Sequence, residues 1–572
     1  MTKAAAANTA RPETAEQTPA AAWIALTGCL LGLFMQMLDT TIVNIALPDL
    51  TVDLGASTSQ QLFVLSVYTL AFACTLLTAA TLGGRLGRRR LYVVAIVAFT
   101  VTSVLCGLAR DPVELIVCRG LQGVSAALMS AQTLALIAAL FPKSRHSTVF
   151  GIYGAVAGLA AMLGPVIGGL LVSGDLFGWG WRIIFFVNVP LGVIACVLAG
   201  KRLPQLRDAN PPRPDLIGAV LSTLGLFGLL YPLAVGRQDG WPVHLWVMMG
   251  AAVVVLSLFV ITQRRLLRRG GAPLLRLDLF VSRQFSVGLA LSLLFFSAFA
   301  GFFFTVSIST QFGLGYSALR TGLLALPFAI GAAVGSIASP LVVTRIGAPS
   351  TLCAGALVLS GGLAWLGSVL APETASLSVP AVLGPLIVGG IGTGLFIAPM
   401  QTTILSDTSP ENIGSASGCV PTVQQIGASI GLAVVSIFFF AQVSAQASDA
   451  VPAVRNDLVT ALRHTTVEPM FQSAVADRFA DCASAQLKSA HPERPAKGCS
   501  ASSAQQTGLA ANIAKKSAPQ LHAAGRHVAA YTFVGAFQTT LWALSVLGVV
   551  IAALTFGLRS PSAAARRRSA LR

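Results

Sequence analysis

Apolar residues run through this chain in stretches of twenty or more, separated by short polar clusters in which Arg, Gly and Pro recur. A helix needs roughly 17–25 mainly apolar residues to cross a bilayer. The pattern predicts fourteen such helices, near 22–47, 61–82, 91–109, 113–140, 148–173, 180–200, 215–236, 243–262, 285–309, 319–343, 350–370, 379–405, 412–440 and 529–558. The stretch before Ala21 is polar and weakly charged, and the first apolar run is longer than the core of a cleaved leader, so it reads as a retained helix.

Basic residues test that count. Arg85, Arg88, Arg89 and Arg90, then Lys201 and Arg202, Arg264 to Arg283, Arg345 and Arg559 to Arg572 fall in alternate loops and in the C-terminal tail. The short loops on the other side hold only Arg110, Arg182, Arg237 and Arg320. Positively charged loops stay cytoplasmic, so the alternation supports an even number of spans with both termini inside the cell membrane. The net charge of +17 is therefore divided among loops and does not form one nucleic-acid patch. With 55% hydrophobic and 10% charged residues, the chain could not cover a water-facing surface, and its natural partner is a lipid bilayer.

One segment breaks the rhythm. From 441 to 528 the chain is rich in Ala, Ser and Gln and mixes both charge signs, as a long external insert would. It holds Cys482 and Cys499, which an oxidising exterior would allow to pair; two free thiols are the alternative.

Two parts of the sequence repeat. Ala131-Gln132-Thr133, Pro142 and Gly151 are matched by Met400-Gln401-Thr402, Pro410 and Gly418, and Arg85-Leu86-Gly87 by Arg345-Ile346-Gly347. Both matches are eight helices apart. Two six-helix halves would be offset by six, so two helices, the seventh and eighth, are inserted between them. The expected organisation is a tail at 1–21, a six-helix bundle at 22–200, linkers and two added helices at 201–284, a second bundle at 285–558 and a tail at 559–572.

Several motifs resemble those of the major facilitator superfamily, within it the fourteen-helix drug:proton antiporters, over nearly the whole chain except the insert. They are Leu38-Asp39-Thr40-Thr41-Ile42-Val43-Asn44-Ile45-Ala46-Leu47-Pro48, Arg119-Gly120-Leu121-Gln122-Gly123, Gly164-Pro165-Val166-Ile167-Gly168-Gly169, and Trp181-Arg182 with Asn188-Val189-Pro190-Leu191-Gly192. The resemblance implies an all-α integral membrane protein with the major facilitator fold, two six-helix bundles plus two inserted helices. It also implies a conformational latch in the loop Arg85, Gly87, Arg88, Arg89 and Arg90. The family's acidic residue just before that run is here Gly84, so the usual charge pairing of the latch is missing.

The residues support this reading independently. Asp39 is an acid well inside a predicted helix, and an ionisable group at such depth is costly and marks function by default. Gln36, Thr40 and Asn44 follow at helical spacing and, with Met35, form a candidate substrate cavity. Arg119 and Gln122 are the candidates to tune Asp39. The alternatives are a structural Asp39 bonded to nearby hydroxyls and an Arg119 that snorkels outward to Glu114. Gly158, Gly164, Pro165, Gly168 and Gly169 would form a close seam about which the halves rock, or ordinary small-residue packing. Phe295, Phe296, Phe299, Phe302, Phe303 and Phe304 face lipid or core, or line an apolar pocket.

The function expected is efflux of hydrophobic or cationic compounds in exchange for protons, with no cofactor beyond the proton gradient and no metal. Export of one endogenous metabolite, lipid or antibiotic is the alternative; uptake fits the Gly-Pro motif less well. No zinc-protease or phosphate-loop motif speaks for a membrane enzyme. The chain is expected to work as a monomer, a periplasmic accessory protein being an open addition, and to bind no nucleic acid.

Overall fold

The computed structural model describes residues 19–56, 58–142, 145–175, 178–205, 215–236, 239–371, 377–406, 408, 412–465, 467–488, 499 and 509–558. The tail 559–572 and nearly all of 1–21 lie outside them. Among the described residues there are α-helices and short helical turns but no strand. In chain order they are α1 (Pro19–Leu54), α2 (Thr58–Leu86), α3 (Arg88–Leu108), α4 (Pro112–Leu140), α5 (His146–Ser173), α6 (Ile183–Phe186), α7 (Asn188–Arg202), α8 (Leu216–Val235) and α9 (Val243–Arg268). Then come α10 (Arg283–Ile308), α11 (Ala318–Ile346), α12 (Ala348–Val369), α13 (Val379–Leu405), α14 (Ile413–Leu462), α15 (Pro469–Lys488) and α16 (Leu509–Leu554). Among the described residues, fourteen spans are long and apolar enough to cross a membrane, the short α6 and α7 together making the sixth.

Spans α1–α7 form one six-span bundle, and α10–α14 with α16 form the other. Of the added pair, α8 packs against α2 and α14, and α9 packs on α8. The sequence repeat has a backbone counterpart. Gly87 and Gly347, each closing an Arg-x-Gly turn, adopt φ of 91° and 84°, a region open to glycine and strained for other residues. Each lets one helix stop and the next begin with no intervening loop.

Within the second bundle the helices touch backbone to backbone. On α11, a Cβ at Gly331 or Gly335 would lie 2.3 or 2.2 Å from the carbonyl oxygen of Ile387 or Ile391. On α13, a Cβ at Gly390 or Gly394 would lie 2.1 Å from that of Phe328 or Ala332. Such reciprocal small-residue pairs let dispersion forces hold helices where lipid supplies no hydrophobic drive.

The two bundles meet along α5 and α11. Gly158 faces Ala332, Gly169 faces Leu319 and Pro165 packs on Gly322, while Gly164 instead faces Thr41 of α1 and Gly168 is buried. At the other seam, a Cβ on Gly418 of α14 would meet Ala80 of α2 at 2.6 Å.

The segment 441–528 departs from a simple polar insert. Helix α14 runs unbroken to Leu462, roughly 30 Å past its predicted end, and α16 likewise starts before its predicted span. Ala447, Val451, Val454, Leu458 and Leu462 recur at three- and four-residue spacing and bury against Ala476 of α15 and Ala524 and Val528 of α16. This stripe is hidden in the sequence because alanines make up much of its surroundings. Cys482 and Cys499 form a disulfide. At the C-terminal end of α1, Asp53 accepts hydrogen bonds from Arg182 (2.5 Å) and Trp181 (3.0 Å), which hold its carboxyl below the ordinary 3.8. That tie contributes at neutral pH and fades as the pH falls through the lowered value.

Replacing Gly335 or Gly394 by Leu should lower the unfolding temperature of the purified protein markedly, because helix backbones must separate. Gly361→Leu, where nothing lies within 4 Å of the new Cβ, should leave it nearly unchanged in the same dye-based thermal assay.

Candidate functional site

Helical geometry divides the polar residues of α1 between two faces. Asp39 shares its face with Met35, Ile42, Val43 and Ala46, all with no exposure. Gln36, Thr40 and Asn44 lie about 100° round the helix and become progressively more exposed, from buried Gln36 to exposed Asn44. Met35 packs with Tyr68, Phe72, Tyr92 and Phe99 inside the first bundle. The structure therefore removes Met35 from the expected cavity, because position 35 points with Asp39 into the bundle interior. Gln36 keeps a buried Oε1 without a hydrogen-bond partner among the described residues. Thr40 donates to the Gln36 carbonyl (2.9 Å) and Asn44 to that of Thr41 (3.3 Å).

On α4, Asp111 caps the N-terminus by accepting from the Val113 and Glu114 amides, with Pro112 in the first turn. Arg119 stands two turns inside, about 10 Å along the axis from that start. Its side chain turns inward. Nη1 donates to Asp39 Oδ2 at 2.5 Å and to Gln122 Oε1 at 2.8 Å, and Nε donates to the Val64 carbonyl at 3.4 Å. The guanidinium carbon lies 4.3 Å from the centre of the Tyr68 ring. Glu114 does not pair with Arg119; it accepts from the Arg110 amide at 2.9 Å. This geometry excludes the outward-snorkelling arrangement.

The second carboxylate oxygen is also held. Asp39 Oδ1 accepts from Gln122 Nε2 (2.9 Å) and Asn188 Nδ2 (3.3 Å). Asn188 donates in turn to Ser103 Oγ (3.0 Å), and Ser103 donates to the Phe185 carbonyl (2.8 Å). Asp39 and Arg119 are 0% and 1% exposed. Burial of this pair is offset by its own attraction and by the hydrogen bonds on Nε and Nη1 of Arg119 and on both oxygens of Asp39. Gly123 brings α4 this close to α2, since a Cβ there would lie 2.3 Å from the Tyr68 carbonyl oxygen. Tyr68 and Ser103 lie in apolar stretches that gave no signal. Asn188 belongs to the Asn188–Gly192 motif, but its direction depends on the break between α6 and α7.

The loop at Gly87 is anchored within its own bundle. Arg88 Nη1 donates to Gln132 Oε1 (3.5 Å), whose Nε2 donates to the Ala79 carbonyl (2.7 Å), and Arg89 donates to the Gly200 carbonyl at the end of α7. Gln132 occupies the space beside Gly83 that any larger side chain would fill. Gly84 is buried, Arg85 half-buried and Arg90 exposed. In the second bundle, Phe295 stacks on Phe396 with centroids 4.6 Å apart, and Phe299, Phe302 and Phe303 surround Phe328. A small apolar cavity beside them is lined by Phe302, Val306, Leu324, Phe328, Leu386 and Phe537. These aromatics are bundle core.

The profile of the Major Facilitator Superfamily matches residues 29–432. The chain belongs to that superfamily. It is 35% identical over 541 residues to the probable actinorhodin transporter of Streptomyces coelicolor, covering 94% of this chain and 91% of that one. It is 34% identical over 449 residues to the multidrug resistance protein Stp of Mycobacterium tuberculosis, covering 78% and 80%. Its fold matches the human organic anion transporter MFSD10 with a TM-score of 0.54 and 17% identity, over 74% of this chain and 94% of that one. Superfamily membership and fourteen spans make it a multi-pass membrane protein of the fourteen-helix facilitator type.

Asp39→Asn leaves the buried Arg119 charge uncompensated and should cost about 3–5 kcal/mol of stability. The double variant Asp39→Asn with Arg119→Gln should recover most of it. Thermal unfolding of the wild type, both single variants and the double variant measures the coupling.

Proposed function

We propose that this protein is a proton-coupled exporter of hydrophobic or cationic small molecules, set in the cell membrane with both termini cytoplasmic and working by alternating access. The single observation that carries this is the buried cluster of Asp39, Arg119, Gln122 and Asn188. A carboxylate enclosed away from water, with its charge held by one guanidinium, has two distinct states. Ionised, it is locked to Arg119. Protonated, it loses that attraction and Arg119 must find other acceptors, so α1 and α4 are no longer held in the same way. Gln122 can accompany either state, because its amide both donates and accepts. The paired state is the one seen here, and external protons reaching Asp39 would release it.

The seam of α5 and α11 supports the reading. Small residues there allow two rigid bundles to tilt while staying in contact, and binding at the interface of repeated bundles is how such proteins alternate access. The proton is a sufficient source of energy, since one charge moving through 100 mV contributes roughly 2.3 kcal/mol. The names of the relatives, a transporter and a multidrug resistance protein, agree with export.

A second reading is export of one endogenous product. It is favoured by the actinorhodin-transporter relative, whose similarity spans 94% of this chain where that of Stp spans 78%.

Purified protein in liposomes with an acidic exterior should move lipophilic cationic dyes against their gradient, and collapse of the pH gradient should stop it. Asp39→Asn should abolish the pH-driven component. Undiminished gradient-driven transport by that variant would remove Asp39 from the coupling step, and immobility of a broad dye panel would favour the single-product reading.

A further inference from the structure

Helix α9 touches the rest of the protein along one narrow stripe, Leu245, Ala252, Phe259 and Gln263. Only 17% of its most apolar window is buried, the smallest share among the fourteen spans. Val247, Val253, Val254, Leu258 and Ile261 on its other sides are exposed, so lipid surrounds most of the helix. Its last turn and cap carry Arg264, Arg265, Arg268 and Arg269, all exposed. The salt bridges among the described residues involve none of the four, whereas Arg276 nearby is satisfied by Asp278 at 2.9 Å. The neighbouring acid, Asp215, is occupied by the Gly218 amide (2.8 Å) and Gln263 Nε2 (2.6 Å).

Four guanidinium groups with no salt-bridge partner among the described residues thus stand where a lipid-embedded helix meets the headgroup layer. Guanidinium forks match phosphate geometry, and basic clusters just outside a span attract anionic lipid. The corner is also structurally fixed. Gln263 Oε1 accepts from the Leu275 amide (3.1 Å), and Ser415 of α14 donates to the Leu274 carbonyl and accepts from the Arg276 amide, both at 3.0 Å. Leu274 is buried in a cluster shared by α2, α8 and α9, with Ile426 of α14 packed against it. The α8–α9 pair therefore bridges the seam between the two bundles at its basic end.

We propose that Arg264, Arg265, Arg268 and Arg269 form a binding site for the phosphate headgroups of anionic phospholipids, which hold the α8–α9 pair against the α2–α14 seam. The site does not depend on which solute is transported.

The test offers the delipidated full chain equal amounts of phosphatidylglycerol and phosphatidylcholine in detergent and reads retained lipid by native mass spectrometry. The wild type should retain phosphatidylglycerol in several-fold excess, and R264Q/R265Q/R268Q/R269Q should reduce that excess at least threefold. The corresponding four-lysine variant keeps the charge and the membrane insertion signal, and should keep most of the preference. R566Q/R567Q/R568Q in the C-terminal tail should behave as wild type. Excess inorganic phosphate should not displace the lipid. The proposal is overturned if the glutamine variant keeps the full preference, if the tail variant loses as much, or if free phosphate competes fully.

Discussion

A carboxylate in a medium of low polarity cannot remain ionised without a counter-charge, and the first bundle is arranged around that requirement. Asp39 of α1 and Arg119 of α4 meet at 2.5 Å, and the remaining hydrogen-bonding positions draw in α2 through Val64, α3 through Ser103 and α7 through Asn188. Five helices are thereby oriented toward one point. The close approach of α4 to α2 at Gly123, the break between α6 and α7 and the inward face of α1 are all consistent with serving it. Packing of apolar residues alone would allow these helices to rotate or slide. A buried pair with specific partners fixes their register, a role well attested for buried polar groups elsewhere.

The second bundle repeats the plan of the first in backbone but not in chemistry. Gly347 copies the turn at Gly87, and Gln401 stands where Gln132 does. Arg88, however, has Ala348 as its counterpart. Gln132 Oε1 therefore accepts from a guanidinium, whereas Gln401 Oε1 is buried without a hydrogen-bond partner among the described residues. Where the first bundle uses charge, the second uses stacked phenylalanines and glycine-mediated backbone contact. Among the described residues, the buried ion pair thus lies in the first bundle and has no counterpart in the second.

Much of this was legible in the sequence. The spans follow from runs of apolar residues, and the offset of the repeats assigned two helices to the insertion. Asp39 and Arg119 stood out because charge at such depth is costly. What was not legible depends on direction rather than identity. Met35 is one position from Gln36, and only the helix rotation separates a core residue from a cavity candidate. Tyr68 and Ser103 acquire their role from helices distant in sequence. The extension was obscured because alanine serves both polar-looking inserts and helix cores, so its buried stripe shows only once α15 and α16 are seen against it. Gly84 removes the acid of the basic loop, and Gln132 instead supplies the oxygen that receives Arg88.

The unbroken passage of α14 and α16 out of the membrane has a mechanical consequence. Both helices continue without a break, although Pro452 and Pro519 lie within them, and the extension is closed by its own apolar core, so the projecting part turns with the second bundle as a lever. A tilt too slight to register near the pivot is multiplied by the length of that arm. The far tip of the extension is therefore where a change in the angular position of that half is displayed as the larger displacement.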